Sequence, residues 1–283
     1  SGLVEKYGID WIKWDSNWWT ICRNPAHGHQ EHDGEYFHVL GVYEVFEFLL
    51  KKHPHLTIES CAGGGTRMDT GMMQYAHLHW IDDETELPQR VRCHCSRLSY
   101  YMPQDSIYTF ALPVSESLLD YEEYRAGDME AFINRLDSEL KSRMMGILGL
   151  GYKLGKLPEE VLAVIGKNIE IYKSVRNIVR EGSFYHLLPA LTLKRPEIKA
   201  MENEAYIFVL PDKSKAVLFV FINDQEKIEP LKLTGLDKSR AYKVIELTGV
   251  HEGIRIGEVM PEVSFIPELK GNTSSAVYLL QAK

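Results

Sequence analysis

Residues 10–17 (DWIKWDSN) combine charged and amide side chains with tryptophans at the end of a predicted β-strand. Side chains alternate between the two faces of a strand, so Lys13, Asp15 and Asn17 are expected on one face. A carboxylate there, beside aromatic rings on which the C–H bonds of a pyranose can stack, suits a sugar-binding pocket. A surface ion pair next to core tryptophans has the same pattern, so this segment alone leaves both interpretations open.

A second segment, residues 59–67 (ESCAGGGTR), runs from a predicted strand into a turn of three glycines. Glycine has no Cβ, so the backbone of such a turn can approach a ligand closely. The Gly-Lys-Ser/Thr ending of a phosphate-binding P-loop is missing. From the glycines alone, a flexible connecting turn is the simpler interpretation.

The third segment, residues 80–86 (WIDDETE), places Asp82, Asp83, Glu84 and Glu86 within five positions. Crowded acids repel one another, which tends to keep one of them protonated near neutral pH, as a general acid must be. A solvated acidic turn that caps the next helix would explain the same residues. The three segments together favour chemistry, because each follows a predicted strand and two of them offer the carboxylates that glycoside hydrolysis needs.

Short apolar runs alternate with helical patterns over the first part of the chain, which predicts βα units and a parallel sheet. We expect strands at 9–14, 56–59, 77–81, 107–112 and 144–150, and helices at 39–52, 89–100, 128–143 and 158–180. These are about five strands, whereas a closed (β/α)₈ barrel needs eight. Polar residues at several strand ends are typical of such a barrel, so the sequence predicts its later strands, about the fourth to the eighth.

After residue 182 the pattern changes to short strands rich in Val, Ile, Tyr and Phe, separated by turn signals. Strands are expected at 205–210, 216–221, 242–247 and 276–280. We therefore predict two domains, a partial (β/α)₈ barrel at 1–185 and a small antiparallel β-sandwich at 186–283.

The composition is that of a globular protein, with 283 residues and a formal charge of −8. The acidic balance argues against nucleic acid as a partner, and no apolar run is long enough to cross a membrane. Four cysteines in a chain of this size do not form a disulfide scaffold. A reducing, cytoplasmic location is expected.

The three segments resemble, in the same order, the Lys-Trp-Asp-x-Asn strand, the Cys-x-x-Gly-x-x-Arg turn and the Trp-x-Ser-Asp-Asp-Thr-Asp strand end of glycoside hydrolase family 36 α-galactosidases. The resemblance covers about residues 1–190, and the family's C-terminal β-domain corresponds to the rest. It implies a nucleophile at Asp15 and an acid/base at Asp83. No metal or organic cofactor is implied.

By the same resemblance, further residues would bind the sugar. Lys13 and Asn17 would hold hydroxyls near C3, C4 and C2, and the 2-hydroxyl side would lie against Cys61 and Gly64, near Arg67. The remaining expected contacts are Trp14, Trp80 and Asp82. Asp82 replaces the family's serine and competes with Asp83, although strand alternation puts the two on opposite faces.

The resemblance implies a retaining glycoside hydrolase that removes terminal α-galactosyl residues from oligosaccharides. An α-N-acetylgalactosaminidase, a transglycosylase and a non-catalytic carbohydrate-binding fragment are the alternatives. Bare sheet edges predict self-association or association with a missing barrel segment. The loop with His27, His29 and His32 offers a zinc site as an alternative to a solvated loop.

Overall fold

The computed structural model describes residues 1–17, 24–28, 30, 33–113, 115–189, 203–224, 228–247, 254–260, 264–267, 269 and 274–283. Within these residues, the chain divides into two compact units, Ser1–Asp83 and Glu84–Lys283. No helix in the described ranges is both long enough and apolar enough to span a membrane.

The first unit alternates helices with parallel strands. Its elements are α1 Gly2–Tyr7, β1 Trp11–Asp15, α2 Gly34–Lys52, β2 Thr57–Cys61 and β3 Leu78–Trp80. Helix α2 begins earlier than predicted. The sequence did not indicate its first turn, because Tyr36 and Phe37 are exposed there and do not follow the apolar period that marks a helix. The short helix α1 was not predicted.

The parallel register decides which side chains share a face of this sheet. Strand β1 pairs with β2, with Lys13 opposite Glu59 and Asp15 opposite Cys61. Strand β2 pairs with β3 in the same direction, with Glu59 opposite Leu78. Because side chains alternate along each strand, Lys13, Asp15, Glu59 and Cys61 occupy one face.

The other face of the sheet packs against helix α2. The strand residues Ile12 and Trp14 are partly buried against a cluster of buried apolar side chains. This cluster includes Val42, Phe46, Leu49, Leu56 and Ile58. Each fully buried Leu, Ile or Phe stabilises the fold by roughly 1.5–3 kcal/mol. This cluster therefore anchors β1 and β2 and leaves their polar face free for chemistry.

The second unit begins with further βα elements. They are α3 Pro88–Leu98, β4 Ile107–Ala111, α4 Glu122–Arg125, α5 Met129–Arg143, β5 Ile147–Leu150 and α6 Glu159–Glu181. Strands β4 and β5 are parallel. The carboxylate of Asp128 accepts a hydrogen bond from the Ala131 N–H at 3.0 Å and caps α5. The short helix α4 was not predicted, because four residues are too few to show a period.

An antiparallel sheet of six described strands follows. The strands are β6 Ser183–His186, β7 Glu204–Val209, β8 Lys215–Phe221, β9 Tyr242–Leu247, β10 Ile254–Val259 and β11 Ser275–Ala282, in the order β10-β9-β11-β8-β7-β6. The sequence did not predict β6 and β10. Strand β10 contains Gly257 beside a register shift, and glycine weakens the strand pattern.

Buried ion pairing ties helix α3 to the antiparallel sheet. Arg92 and Glu204 form two contacts, Nε to Oε1 at 2.8 Å and Nη2 to Oε1 at 2.7 Å, and both side chains are almost fully buried. The Arg92 guanidinium also lies 4.4 Å from the Phe221 ring centre.

The predicted fold class, βα units followed by an antiparallel β-domain, is confirmed. The proposed division into domains at 185/186 stays a prediction. The first antiparallel strand, β6, begins at Ser183.

Candidate active site

The carboxyl end of β1 carries an aspartate and an asparagine that contact each other. Asn17 donates its amide N–H to Asp15 Oδ2 at 3.4 Å, and its Oδ1 accepts a hydrogen bond from the Gly63 N–H at 2.7 Å. Asp15 and Asn17 are both exposed to solvent. Asn17 therefore joins the end of β1 to the glycine turn after β2 and leaves the Asp15 carboxylate accessible.

Cys61 lies directly beside Asp15 on the neighbouring strand, and its thiol donates a hydrogen bond to the Asp15 carboxylate. The pKa of the Cys61 thiol is raised to about 11, mainly by burial; the Lys13 ammonium offsets part of this rise, and the Asp15 charge adds to it. The thiol is therefore neutral at physiological pH and serves as a polar wall of the site. It has the wrong protonation state for a nucleophile.

The Lys13 ammonium is held between an aromatic ring and a buried carboxylate. Its Nζ lies 3.5 Å from the Trp80 ring centre and 3.7 Å from Glu59 Oε1. The sequence placed Lys13 next to Asp15 on one face, and the structure shows that its ion pair is made with Glu59. Glu59 also accepts a hydrogen bond from Trp11 Nε1 at 3.0 Å on Oε2.

Sequence analysis did not single out Glu59 as a site residue. The signal that could have found it is its spacing, because Glu59 stands two residues before Cys61 and so shares a strand face with it. At 4 % exposure it is the one buried carboxylate among the described residues of the first unit.

The end of β3 directs one of the two competing aspartates towards this face. Trp80 donates its indole N–H to Asp83 Oδ1 at 3.1 Å. Asp83 is exposed, whereas Asp82 is half-buried. The Asp83 carboxyl group therefore lies beside the ring that also contacts Lys13.

The glycine turn packs against the backbone of the acidic segment. Gly64 has φ of +75°, and a Cβ there would come 3.1 Å from both Asp82 Cα and the Asp83 nitrogen. A Cβ on Gly65 would come 2.7 Å from the Ile81 carbonyl oxygen. The glycines are therefore needed for close packing of two chain segments, a reason that the sequence alone did not reveal.

One of the expected sugar-binding residues, Trp14, is not brought into this group. The Trp14 ring packs edge-on against Phe46 at 5.1 Å, in the cluster on the opposite face of the sheet. The assignment of Trp14 to the sugar site is corrected for this reason, since strand alternation turns it away from Asp15. Arg67 is half-buried, and its Nη1 has no hydrogen-bond partner in the described ranges.

The metal alternative rests partly on residues that the structure does not describe. His27 lies in a described turn, whereas His29 and His32 lie outside the described residues, as do Trp18 and Cys22. Among the residues that are described, no group of three or more His, Cys, Asp or Glu side chains is arranged to hold a metal ion.

Parallel βα units that carry carboxylates, a lysine and a tryptophan at their strand ends match the way in which a barrel enzyme positions its site. The family follows from a direct match, because the Melibiase family model matches residues 1–182. The chain belongs to the Melibiase family.

Individual relatives agree with this membership. The chain is 27% identical to alpha-galactosidase 1 of Pediococcus pentosaceus over 99% of its length, and 28% identical to alpha-galactosidase AgaA of Geobacillus stearothermophilus over 89%. It spans only 36% and 32% of those two proteins, about a third of their length.

Solved structures show the same fold. The crystal structure of the GH36 alpha-galactosidase AgaA from Geobacillus stearothermophilus superposes with a TM-score of 0.76 at 23% identity, covering 100% of this chain and 37% of that one. The alpha-galactosidase from Lactobacillus brevis superposes with a TM-score of 0.73 at 18% identity, again covering 100% of this chain and 37% of that one. The predicted resemblance to glycoside hydrolase family 36 is confirmed.

Proposed function

We propose that this chain carries the catalytic core of a retaining α-galactosidase, with Asp15 as nucleophile and Asp83 as acid/base. The observation that carries the proposal is a pair of contact groups, one around Asp15 and one around Lys13, two residues that share the polar face of the first unit. Asp15 contacts Cys61 and Asn17, and the Asp83 carboxyl group contacts the Trp80 ring that lies under Lys13. Family membership and the names of the relatives support the reaction class.

The mechanism uses two displacements at the anomeric carbon. Asp15 attacks this carbon and forms a covalent galactosyl ester, while Asp83 gives its proton to the departing glycosidic oxygen. Asp83 then removes a proton from water, and the resulting hydroxide releases the sugar from Asp15 with net retention. This route requires a carboxyl separation of about 5–5.5 Å.

The remaining site residues would recognise the galactosyl unit. Lys13 and Asn17 would donate hydrogen bonds to ring hydroxyls, and the Cys61 thiol and the Gly64 turn would line the 2-hydroxyl side. Asp82 and Arg67 stay secondary candidates for this role. No cofactor takes part in these steps.

The substrate class is an α-galactoside oligosaccharide. A structure of AgaA from Geobacillus stearothermophilus was determined in complex with raffinose and another in complex with stachyose, which supports this class by relationship. Since the chain covers about a third of its relatives, we propose that it works with further barrel strands, in the same polypeptide or through self-association. The described cysteines Cys61, Cys93 and Cys95 are buried, and none forms a disulfide with another described cysteine, which supports the proposal of a cytoplasmic location.

The assignment of Asp15 is tested by chemical rescue. Asp15→Gly should abolish hydrolysis of p-nitrophenyl α-galactoside, and added azide should restore release of nitrophenol and yield β-galactosyl azide. Asp10→Asn, an exposed carboxylate just before the same strand, serves as the matched control and should retain activity. Full activity of Asp15→Gly without azide would refute the assignment.

A further inference from the structure

The buried carboxylate Glu59 has no role in the mechanism above, although it lies in the polar face of the site. Its side chain is 5 % exposed, against 39 % for its partner Lys13. Oε2 accepts the Trp11 N–H at 3.0 Å, whereas Oε1 is buried and has no hydrogen-bond partner among the residues that the structure describes. A buried carboxylate oxygen without a hydrogen bond is costly, so its placement needs a reason.

The reason lies in the position of the Lys13 ammonium. Oε1 of Glu59 is 3.7 Å from Lys13 Nζ, which is within ion-pair range and beyond hydrogen-bond range. Strand register places the two residues directly opposite each other. Since the Trp11 indole N–H binds the other carboxylate oxygen, the orientation of the Glu59 side chain does not depend on Lys13.

The Lys13 side chain is thereby constrained from two directions. The Trp80 ring lies below the ammonium at 3.5 Å, and Glu59 attracts it from the neighbouring strand. A lysine otherwise has many rotamers, and it loses that freedom only where contacts hold it. An ammonium held in this way keeps N–H groups available for a ligand, because the ion pair is not hydrogen-bonded.

We propose that Glu59 is a positioning residue that holds the Lys13 ammonium over the Trp80 ring, ready to donate to sugar hydroxyls. This inference rests on the proposed function for its link to the sugar, and its geometric part is independent of turnover. A carboxylate that merely completed the packing of Trp11 would leave the Lys13 position unchanged when its charge is removed.

The geometric part is tested by NMR of the full chain labelled at lysine. The ring current of Trp80 should shift the Lys13 ε-methylene protons upfield, and Lys13→Ala identifies the signal by its loss. In Glu59→Gln this signal should move to the position of exposed lysines. Glu59→Asp keeps the charge and should retain more of the shift. Ser60→Ala, a buried neighbour on the other face of β2, is the matched control and should leave the signal in place.

The functional part is tested by a double-mutant cycle on p-nitrophenyl α-galactoside. Glu59→Gln should raise KM by roughly tenfold with a smaller effect on kcat, because it weakens binding that is shared by ground and transition states. Combining it with Lys13→Ala should add less than about a twofold further loss, since the two residues act as one unit. Ser60→Ala should keep both constants.

The outcomes separate the two proposals. An upfield Lys13 signal that is unchanged in Glu59→Gln, or kinetic losses that simply add in the double variant, would overturn the positioning role. Full activity of Asp15→Gly without azide, together with a displaced Lys13 signal in Glu59→Gln, would count against the proposed activity and leave the positioning role standing.

Discussion

The ammonium nitrogen of Lys13 lies 3.5 Å from the centre of the Trp80 ring, and the indole N–H at the edge of that ring points to the Asp83 carboxylate at 3.1 Å. An aromatic ring has a negative face and a positive edge, so a cation over the face and an acceptor oxygen at the edge both match its charge distribution. Trp80 thus joins the lysine of the candidate nucleophile strand to the candidate acid/base.

The role of Asp83 predicts a dependence on the leaving group. Asp83→Asn should reduce turnover by about 10²–10⁴-fold for natural α-galactosides, whose leaving oxygen needs a proton. The loss of kcat/KM, which reports the first displacement, should be much smaller for 2,4-dinitrophenyl α-galactoside, whose leaving group needs no proton. Steady-state kinetics on both substrates measures the difference.

Asp82→Asn is the matched comparison, because it alters the neighbouring carboxyl group, which is half-buried. It should not discriminate between the two leaving groups. If Asp82→Asn showed the leaving-group dependence and Asp83→Asn did not, the acid/base would be Asp82.

Alkylation of Cys61 should follow its raised pKa. Burial and the Asp15 charge raise this pKa to about 11, so the thiolate is scarce below that pH. The rate of reaction with iodoacetamide, measured by mass spectrometry of the Cys61 peptide, should therefore rise with a midpoint near pH 11, against pH 9 for an ordinary cysteine. The midpoint is the diagnostic quantity, because burial slows the reaction at every pH.

Two variants should move this midpoint in opposite directions. Asp15→Asn removes a negative charge next to the thiol and should lower the midpoint, whereas Lys13→Met removes a positive charge and should raise it. A negative charge beside the thiol disfavours the thiolate and raises its pKa, whereas a positive charge favours the thiolate and lowers its pKa. Shifts of the same sign would contradict the opposite electrostatic effects of Asp15 and Lys13 on the pKa of the thiol.

A methyl group at Gly64 should disturb the acidic segment more than one at Gly63. Both glycines have positive φ, +75° and +52°, so alanine costs about 1–2 kcal/mol of left-handed strain at either position. Only at Gly64 would the Cβ also press on the Asp82 and Asp83 backbone at 3.1 Å. We expect Gly64→Ala to lower the free energy of unfolding by a further ~1–3 kcal/mol and to reduce turnover.

Gly63→Ala is the matched control, because the nearest atom that its Cβ would meet in the described part of the chain is Asn17 Oδ1 at 3.9 Å. Urea denaturation and kinetics of the two variants decide the matter. Equal effects of the two substitutions would show that positive φ alone requires glycine here, without the contact between the glycine turn and the acidic segment.

The buried Arg92–Glu204 pair should be important for stability. Arg92→Met leaves the Glu204 carboxylate buried without its counter-charge and should cost about 3–5 kcal/mol in the free energy of unfolding. The double variant with Glu204→Met should cost less than the two single changes added together. Arg125→Ala breaks an exposed pair with Asp120 and should cost less than about 1 kcal/mol. Chemical denaturation of all four variants measures these differences.

Local sequence patterns predicted the elements with strong periods and missed the weak ones. Strand β9 was predicted at 242–247 and is found at Tyr242–Leu247, where alternate residues are buried. Strand β6 is only four residues long and follows directly on a long helix, so no alternation was visible. Strand pairing, a contact with β7, establishes β6.

The sequence by itself determined that a lysine, an aspartate and an asparagine share one strand face, and that an acidic segment ends another strand. Both follow from the period of two along a strand, which is a local property. The tertiary structure decided what lies opposite them. It turned Trp14 into the helix-packed cluster and placed Trp80 under the Lys13 ammonium.

Asp15 illustrates the same division. Its position at the end of a strand could be predicted from the residues around it, whereas its neighbour Cys61 and the pairing of Lys13 with Glu59 depend on strand register. Register joins residues that are far apart in the chain, and it is set by the packing of the opposite face of the sheet against α2. That packing involves apolar residues outside the three motifs, so the motifs could not reveal it.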